Sequence, residues 1–158
     1  DLNDAEDNYK KGIEEYRNAG SSKSKYRTAN YYFKEAQKYV SNYKDTTKLI
    51  NEAKEKRITS NYYGQGPTGE AQMMDEVQNA WDNELNKVYK LLMSKLSSTQ
   101  KTKLRNEERE WLKRRERKVN SETEGGTGMG FRLVYYSIMT EWTRDRAIEL
   151  ARRYDNLK

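Results

Sequence analysis

Cysteine and histidine are both missing from this 158-residue sequence, and proline occurs once. Disulfides, thiol catalysis, Ser-His-Asp triads and zinc sites of the usual composition are therefore excluded. Hydrolysis by a carboxylate pair survives this cut, because 25 Asp and Glu remain. The missing cysteines assign no compartment, since cytosolic and secreted proteins can both lack them. No apolar run approaches the ~20 residues of a membrane span, and no signal-peptide pattern opens the chain. Alternating apolar–polar runs of useful length are absent, which leaves little for strands. What is present is charge: 35% of residues are Asp, Glu, Lys or Arg, against 34% hydrophobic, and mean hydropathy is −1.29. The expectation is an all-α protein.

Lys and Arg number 31 and the formal net charge is +6. The excess is spread over both halves of the chain, whereas a dedicated nucleic-acid protein concentrates it on one face. Nucleic acid is not the expected partner.

Two glycine-rich stretches divide the chain. Asn61-Tyr62-Tyr63-Gly64-Gln65-Gly66-Pro67-Thr68-Gly69 holds the only proline and reads as a break, giving a Tyr-rich helical unit over 1–60 and a linker over 61–70. Glu124-Gly125-Gly126-Thr127-Gly128-Met129-Gly130 reads as a long loop between two helices of a second unit, 71–158. Three helices are expected in the first unit, near Asp4–Arg17, near Ser24–Val40 and after Asp45. Tyr9, Ile13 and Tyr16, then Tyr26, Ala29, Phe33 and Ala36, line their inner faces. This stretch resembles a tetratricopeptide-type repeat, because Asn8-Tyr9-Lys10 recurs as Asn42-Tyr43-Lys44 at an offset of 34 residues. A short helical hairpin packed on the second unit is the competing reading.

The second unit carries a firmer pattern. Met74, Val77, Trp81, Leu85, Val88, Leu92 and Leu96 step by three or four, a helical stripe held for six turns. Ser97-Ser98-Thr99 then supplies N-cap oxygens for a helix with Leu104, Trp111, Arg115 and Val119 on one line. Phe131, Tyr135, Ile138, Trp142, Arg146 and Leu150 make a third line. The three lines predict a three-helix antiparallel bundle.

Arg115 and Arg146 fall where the stripes call for apolar side chains, so each guanidinium needs an acid or a carbonyl. Glu84, beside the first stripe, is the natural partner, with Asn86 and Glu149 available to complete the set. The expectation is a polar cluster of Glu84, Arg115 and Arg146 that fixes helix register. The exposed connection bearing Glu122, Glu124, Gly125, Gly126 and Gly128 is the candidate partner surface. It lacks the preceding strand and the Gly-Lys-Ser/Thr ending of a phosphate loop. Arg105, Arg109, Lys113 and Arg117 stack four apart as a basic row, suited either to a polyanion or to a solvated face interleaved with Glu107, Glu108, Glu110 and Glu116.

The string Asp82-Asn83-Glu84-Leu85-Asn86-Lys87-Val88-Tyr89, followed by Leu92 and Leu96, resembles the opening motif of the LprI-type lysozyme-inhibitor family. Trp111 with Arg115 resembles its W-x-x-x-R. Thr143, Arg146, Glu149 and Leu150 resemble its T-x-x-R-x-x-E-L, and together the motifs cover roughly residues 71–153. The cysteines typical of the family are replaced here by Val77, Val119 and Ile138. The resemblance implies a bacterial envelope protein, periplasmic or at the cell surface, with a lipid anchor upstream in many such proteins. It also implies inhibition of lysozyme by occluding a protein partner. No catalytic, cofactor or metal site is expected. A non-enzymatic interaction or scaffold module of the envelope is the alternative.

Overall fold

A computed structural model describes residues 2–62 and 64–157, with only the backbone of Ser60. Asp1, Tyr63 and Lys158, which fall within the expected unit, linker and domain, lie outside the described residues. Six helices follow one another: α1 (Leu2–Arg17), α2 (Lys23–Tyr39), α3 (Thr46–Tyr62), α4 (Gly66–Lys95), α5 (Ser98–Thr123) and α6 (Gly128–Asp155). No strand occurs among the described residues. The protein is all-α.

Small residues bring α1 and α2 together. Ala5, Ala29 and Ala36 are fully buried, and a Cβ on Gly12 would lie 2.6 Å from the Phe33 ring. That approach requires the missing side chain. Tyr9 and Tyr16 tilt against Phe33 with ring centroids 6.2 and 6.4 Å away, and Tyr16 meets Tyr26 edge-on. Ser22 caps α2 by accepting from the Lys25 N–H. α2 packs between α1 and α3.

Between α2 and α3, Asn42, Lys44 and Asp45 hold φ of 49°, 45° and 64°. A left-handed backbone costs a non-glycine residue on the order of 1 kcal/mol, and here side chains secure it. Asn42 Oδ1 accepts from the Thr47 N–H at 3.0 Å, and the Lys44 ammonium meets Glu6 of α1 at 2.6 Å. Asp45 meets Arg152 of α6 at 2.9 Å. The two Asn-Tyr-Lys triplets therefore take unlike conformations, one inside α1 and the other in this turn. The 34-residue offset has no structural counterpart.

Most of the Gly/Pro stretch is helical. α4 opens at Gly66 and carries Pro67 in its first turn, where a missing N–H leaves no bond unmade. Among the described residues of the expected break at 61–70, only Gly64 and Gln65 are non-helical. The second glycine stretch is similarly short. α5 ends at Thr123 and α6 begins at Gly128, so Glu122 sits in the last turn of α5 while Met129 and Gly130 are helical.

The main core gathers Trp81, Leu85, Val88 and Leu92 of α4, Leu104 and Trp111 of α5, and Ala147, Ile148, Leu150 and Ala151 of α6. α5 starts at a capping box, with Ser97 accepting from the Gln100 N–H and Gln100 returning a bond to the Ser97 N–H. α6 packs chiefly along α4 and more sparsely on α5, while α3 leans on α4 and touches α6. Trp81 is fully buried and its indole N–H donates to Glu55 of α3. Of the expected line on α6, Phe131 departs: it is more than a third exposed, as are Met129 and Val134 beside it.

Candidate functional site

Arg146 is buried and Arg115 half-buried, and both bond to partners other than Glu84. Arg146 is 6% exposed. Its Nε donates to Glu108 Oε1 at 2.8 Å, its Nη2 to the same oxygen, and its Nη1 to Glu149 Oε2 at 2.7 Å. The lattice continues, because Arg153 donates to Glu107 at 2.5 Å and to Glu149 at 2.6 Å. Three acids and two arginines thus alternate along the α5–α6 seam. Burial alone would lower the Arg146 pKa, but the bonds to Glu108 and Glu149 outweigh it and hold the guanidinium above its ordinary value. The Arg153 bond holds Glu107 below the usual carboxylate range.

Arg115 belongs to a second network. Its guanidinium lies 4.7 Å from the centroid of the Trp111 ring, and Nη1 donates to Thr143 Oγ1 at 2.9 Å. Thr143 in turn donates to the Met139 carbonyl at 2.6 Å. Gln78 of α4 donates to Thr143 at 3.4 Å and accepts from Thr140 at 3.1 Å, so α4, α5 and α6 share one set of bonds. Desolvation pushes the Arg115 pKa down, partly offset by the charge of Asp82.

Glu84 is buried but pairs with Lys87 at 3.5 Å, and its charge acts on Lys54 of α3. Neither arginine comes within ion-pair distance of it. The expected cluster of Glu84, Arg115 and Arg146 is therefore not assembled, and Asn86 is exposed on the outer side of α4. The cause is α3: it occupies the flank of α4 that carries Glu84, a neighbour the three-helix picture leaves out. Glu108 was the overlooked partner. It stands four residues after Leu104 and three before Trp111, on the same stripe as Arg115.

The basic row is solvated. Arg105, Arg109, Lys113 and Arg117 are all exposed, with Lys113 paired to Glu110 at 2.8 Å and Arg109 bonded to Asn106. Of the acids expected to interleave with it, Glu107 and Glu108 turn to α6 instead. At the far end of α5, Glu122 pairs with Lys118 at 2.6 Å. Glu124, Gly125, Gly126 and Gly128 are exposed, and Gly125 holds φ 71°, a left-handed value suited to glycine after a helix end. Phe131 lies over Gly126, close enough that a Cβ there would be 3.4 Å from its ring. The turn and the bare start of α6 form one continuous surface. Among the described residues, no group of three acidic side chains is arranged to hold a metal ion.

The sequence model of one family, described as lysozyme inhibitor LprI, matches residues 64–150, more than half of the chain. The chain belongs to the LprI family. No curated protein and no solved structure gives a significant match. The family match spans α4, α5 and most of α6, and both polar networks lie largely within it. The Trp111–Arg115 pair supplies the indole-stacked guanidinium, and Thr143, Arg146 and Glu149 receive or extend the two networks. Val119 and Ile138 are buried, and Val77 packs against the core. In this LprI protein the helices are held by side-chain packing and ion pairs.

Proposed function

We propose that this LprI protein works outside the cytoplasm, in the periplasm or at the cell surface, as a non-enzymatic binder that inhibits lysozyme by covering its cleft. The observation that carries the reading is the surface at the α5–α6 turn. Glu124 and the exposed glycines adjoin Met129, Phe131 and Val134, an apolar and acidic combination suited to a basic partner. Membership of a family described by lysozyme inhibition supports it. Among the described residues, no helix is long and apolar enough to cross a membrane. A lipid anchor upstream of Asp1 would hold such a protein at the envelope.

The net charge of +6 slows the approach of a basic enzyme at low salt, so Glu124 and the apolar start of α6 must dominate at close range. Titrating lysozyme with this protein tests the reading. Residual activity is expected to fall, and to fall further at moderate ionic strength than at very low. Glu124→Lys with Phe131→Ala is expected to relieve the inhibition. Full lysozyme activity at micromolar excess of the protein would remove the proposal. A second reading, an envelope scaffold using the first three helices, draws on Tyr31 and Tyr39, which stand exposed on α2.

A further inference from the structure

A cavity of about 440 Å³ opens between α3, α4 and α6. Its volume falls within the range of small-ligand sites. Met73, Met74 and Val77 form its apolar part, and thioether side chains adapt to flexible aliphatic chains. Glu55 and Glu141 bring carboxylates to the same space. Glu55 is half-buried and accepts the Trp81 indole N–H, a neutral donor that leaves its charge uncompensated. Burial pushes the Glu55 carboxyl up, and the nearby charge of Arg144 only partly restores it. Among the described residues of the lining, Arg144 is the single cation, and its Nε is bonded to Asp145 at 3.2 Å. The charge left unmatched in the cavity is therefore negative.

We propose that this cavity binds an aliphatic primary ammonium, its methylenes against Met73, Met74 and Val77 and its nitrogen at Glu55, with Glu141 at the rim. Such a group is carried by a lysine side chain and equally by a free diamine. The site stands independently of lysozyme inhibition, since none of its residues belongs to the α5–α6 turn. It also explains why a desolvated carboxylate is retained beneath a fully buried tryptophan: a ligand cation compensates it.

The Trp81 indole N–H resonance reports on its acceptor Glu55 and can be followed by NMR during titration of the whole chain. Nα-acetyl-lysine amide, 1,5-diaminopentane and Nα-acetyl-norleucine amide serve as probes. A saturable shift with the lysine amide assigns the site to protein-borne lysine. A shift with the diamine alone assigns it to free amines. Either supports the proposal, provided the norleucine amide, which lacks the nitrogen, has no such effect. Glu55→Gln keeps an oxygen to accept the indole N–H and should weaken binding tenfold or more. Arg144→Met removes the competing cation and should tighten binding several-fold, an outcome that a merely structural role would not produce. Equal shifts from the lysine and norleucine amides, or none from either amine at tens of millimolar, would overturn it.

Discussion

The two halves of this molecule solve helix packing in different ways. In α1–α3, alanines and Gly12 let backbones approach closely, and Tyr and Phe rings fill the remaining space. In α4–α6, a Trp- and Leu-rich stripe is buried, and two polar networks fix how the helices slide. The first strategy depends on shape, because one added carbon at Gly12 collides with Phe33. The second depends on charge geometry, because apolar stripes on long helices tolerate a one-turn slip that an arginine forked between two acids does not.

Substitutions can break this contrast. Phe33→Ala should have the largest effect, about 4 kcal/mol, since it empties the fully buried ring that α1 and α2 share. Urea unfolding followed by circular dichroism would measure it. A lowered midpoint for the whole transition means the halves unfold together, whereas a new early phase means the first three helices stand alone.

Arg146→Ala should cost somewhat less, about 3 kcal/mol, by leaving Glu108 and Glu149 on the seam without their shared cation. The same urea curves check it, and high salt should not rescue the loss. If Arg146→Met proves as stable as the parent, register in α4–α6 rests on packing, and the contrast between the halves narrows.

Asp155 offers the smallest and most specific test, at the place where the halves meet. Burial, opposed only by a bond from Asn42, raises its carboxyl from 3.8 to about 7, and one of its oxygens lacks any hydrogen-bond partner. A folded-state pKa above the unfolded one means that folding favours the protonated acid. Its stabilising contribution is therefore complete below pH about 4 and is lost as pH rises through about 7. Partial exposure reduces the effect to on the order of 1 kcal/mol. Thermal melts should show Asp155→Asn more stable than the parent at pH 8 and little changed at pH 4. The absence of histidine keeps that window clear of the usual titrating group.

Much of the fold was legible because apolar spacing survives without knowledge of tertiary contacts. The stripe from Val77 to Leu92, the Ser97 cap and the inward turn of Arg115 and Arg146 all follow from helical period. Partners were not legible, because period places a residue on a face without saying which helix covers that face. Helical period offers Glu84 to the arginines when α3 takes its side, and it sets Glu108 among the acids of the basic row although Glu108 also shares the Leu104–Trp111 line. Glycine and proline misled for a related reason. Both break a helix in its middle, yet Gly66, Pro67 and Gly128 stand at helix starts, where neither is penalised. The recurrence of Asn-Tyr-Lys ignored conformation, and its second copy folds as a strained turn. The carboxylates at the cavity were indistinguishable in sequence from other surface acids, since only assembly of three helices gives Glu55 its cover.

α6 runs 28 residues without a proline, and beyond Gly130 it contains no glycine to act as a joint. At 1.5 Å per residue it is a stiff rod of roughly 40 Å. Its exposed beginning carries Phe131, and its end is tethered by Arg152 to the left-handed backbone at Asp45. Between those two ends the shaft is clamped to α4 and α5 by the core and by both polar networks, so a partner gripping Phe131 pulls against the whole seam before it reaches the turn at Asp45.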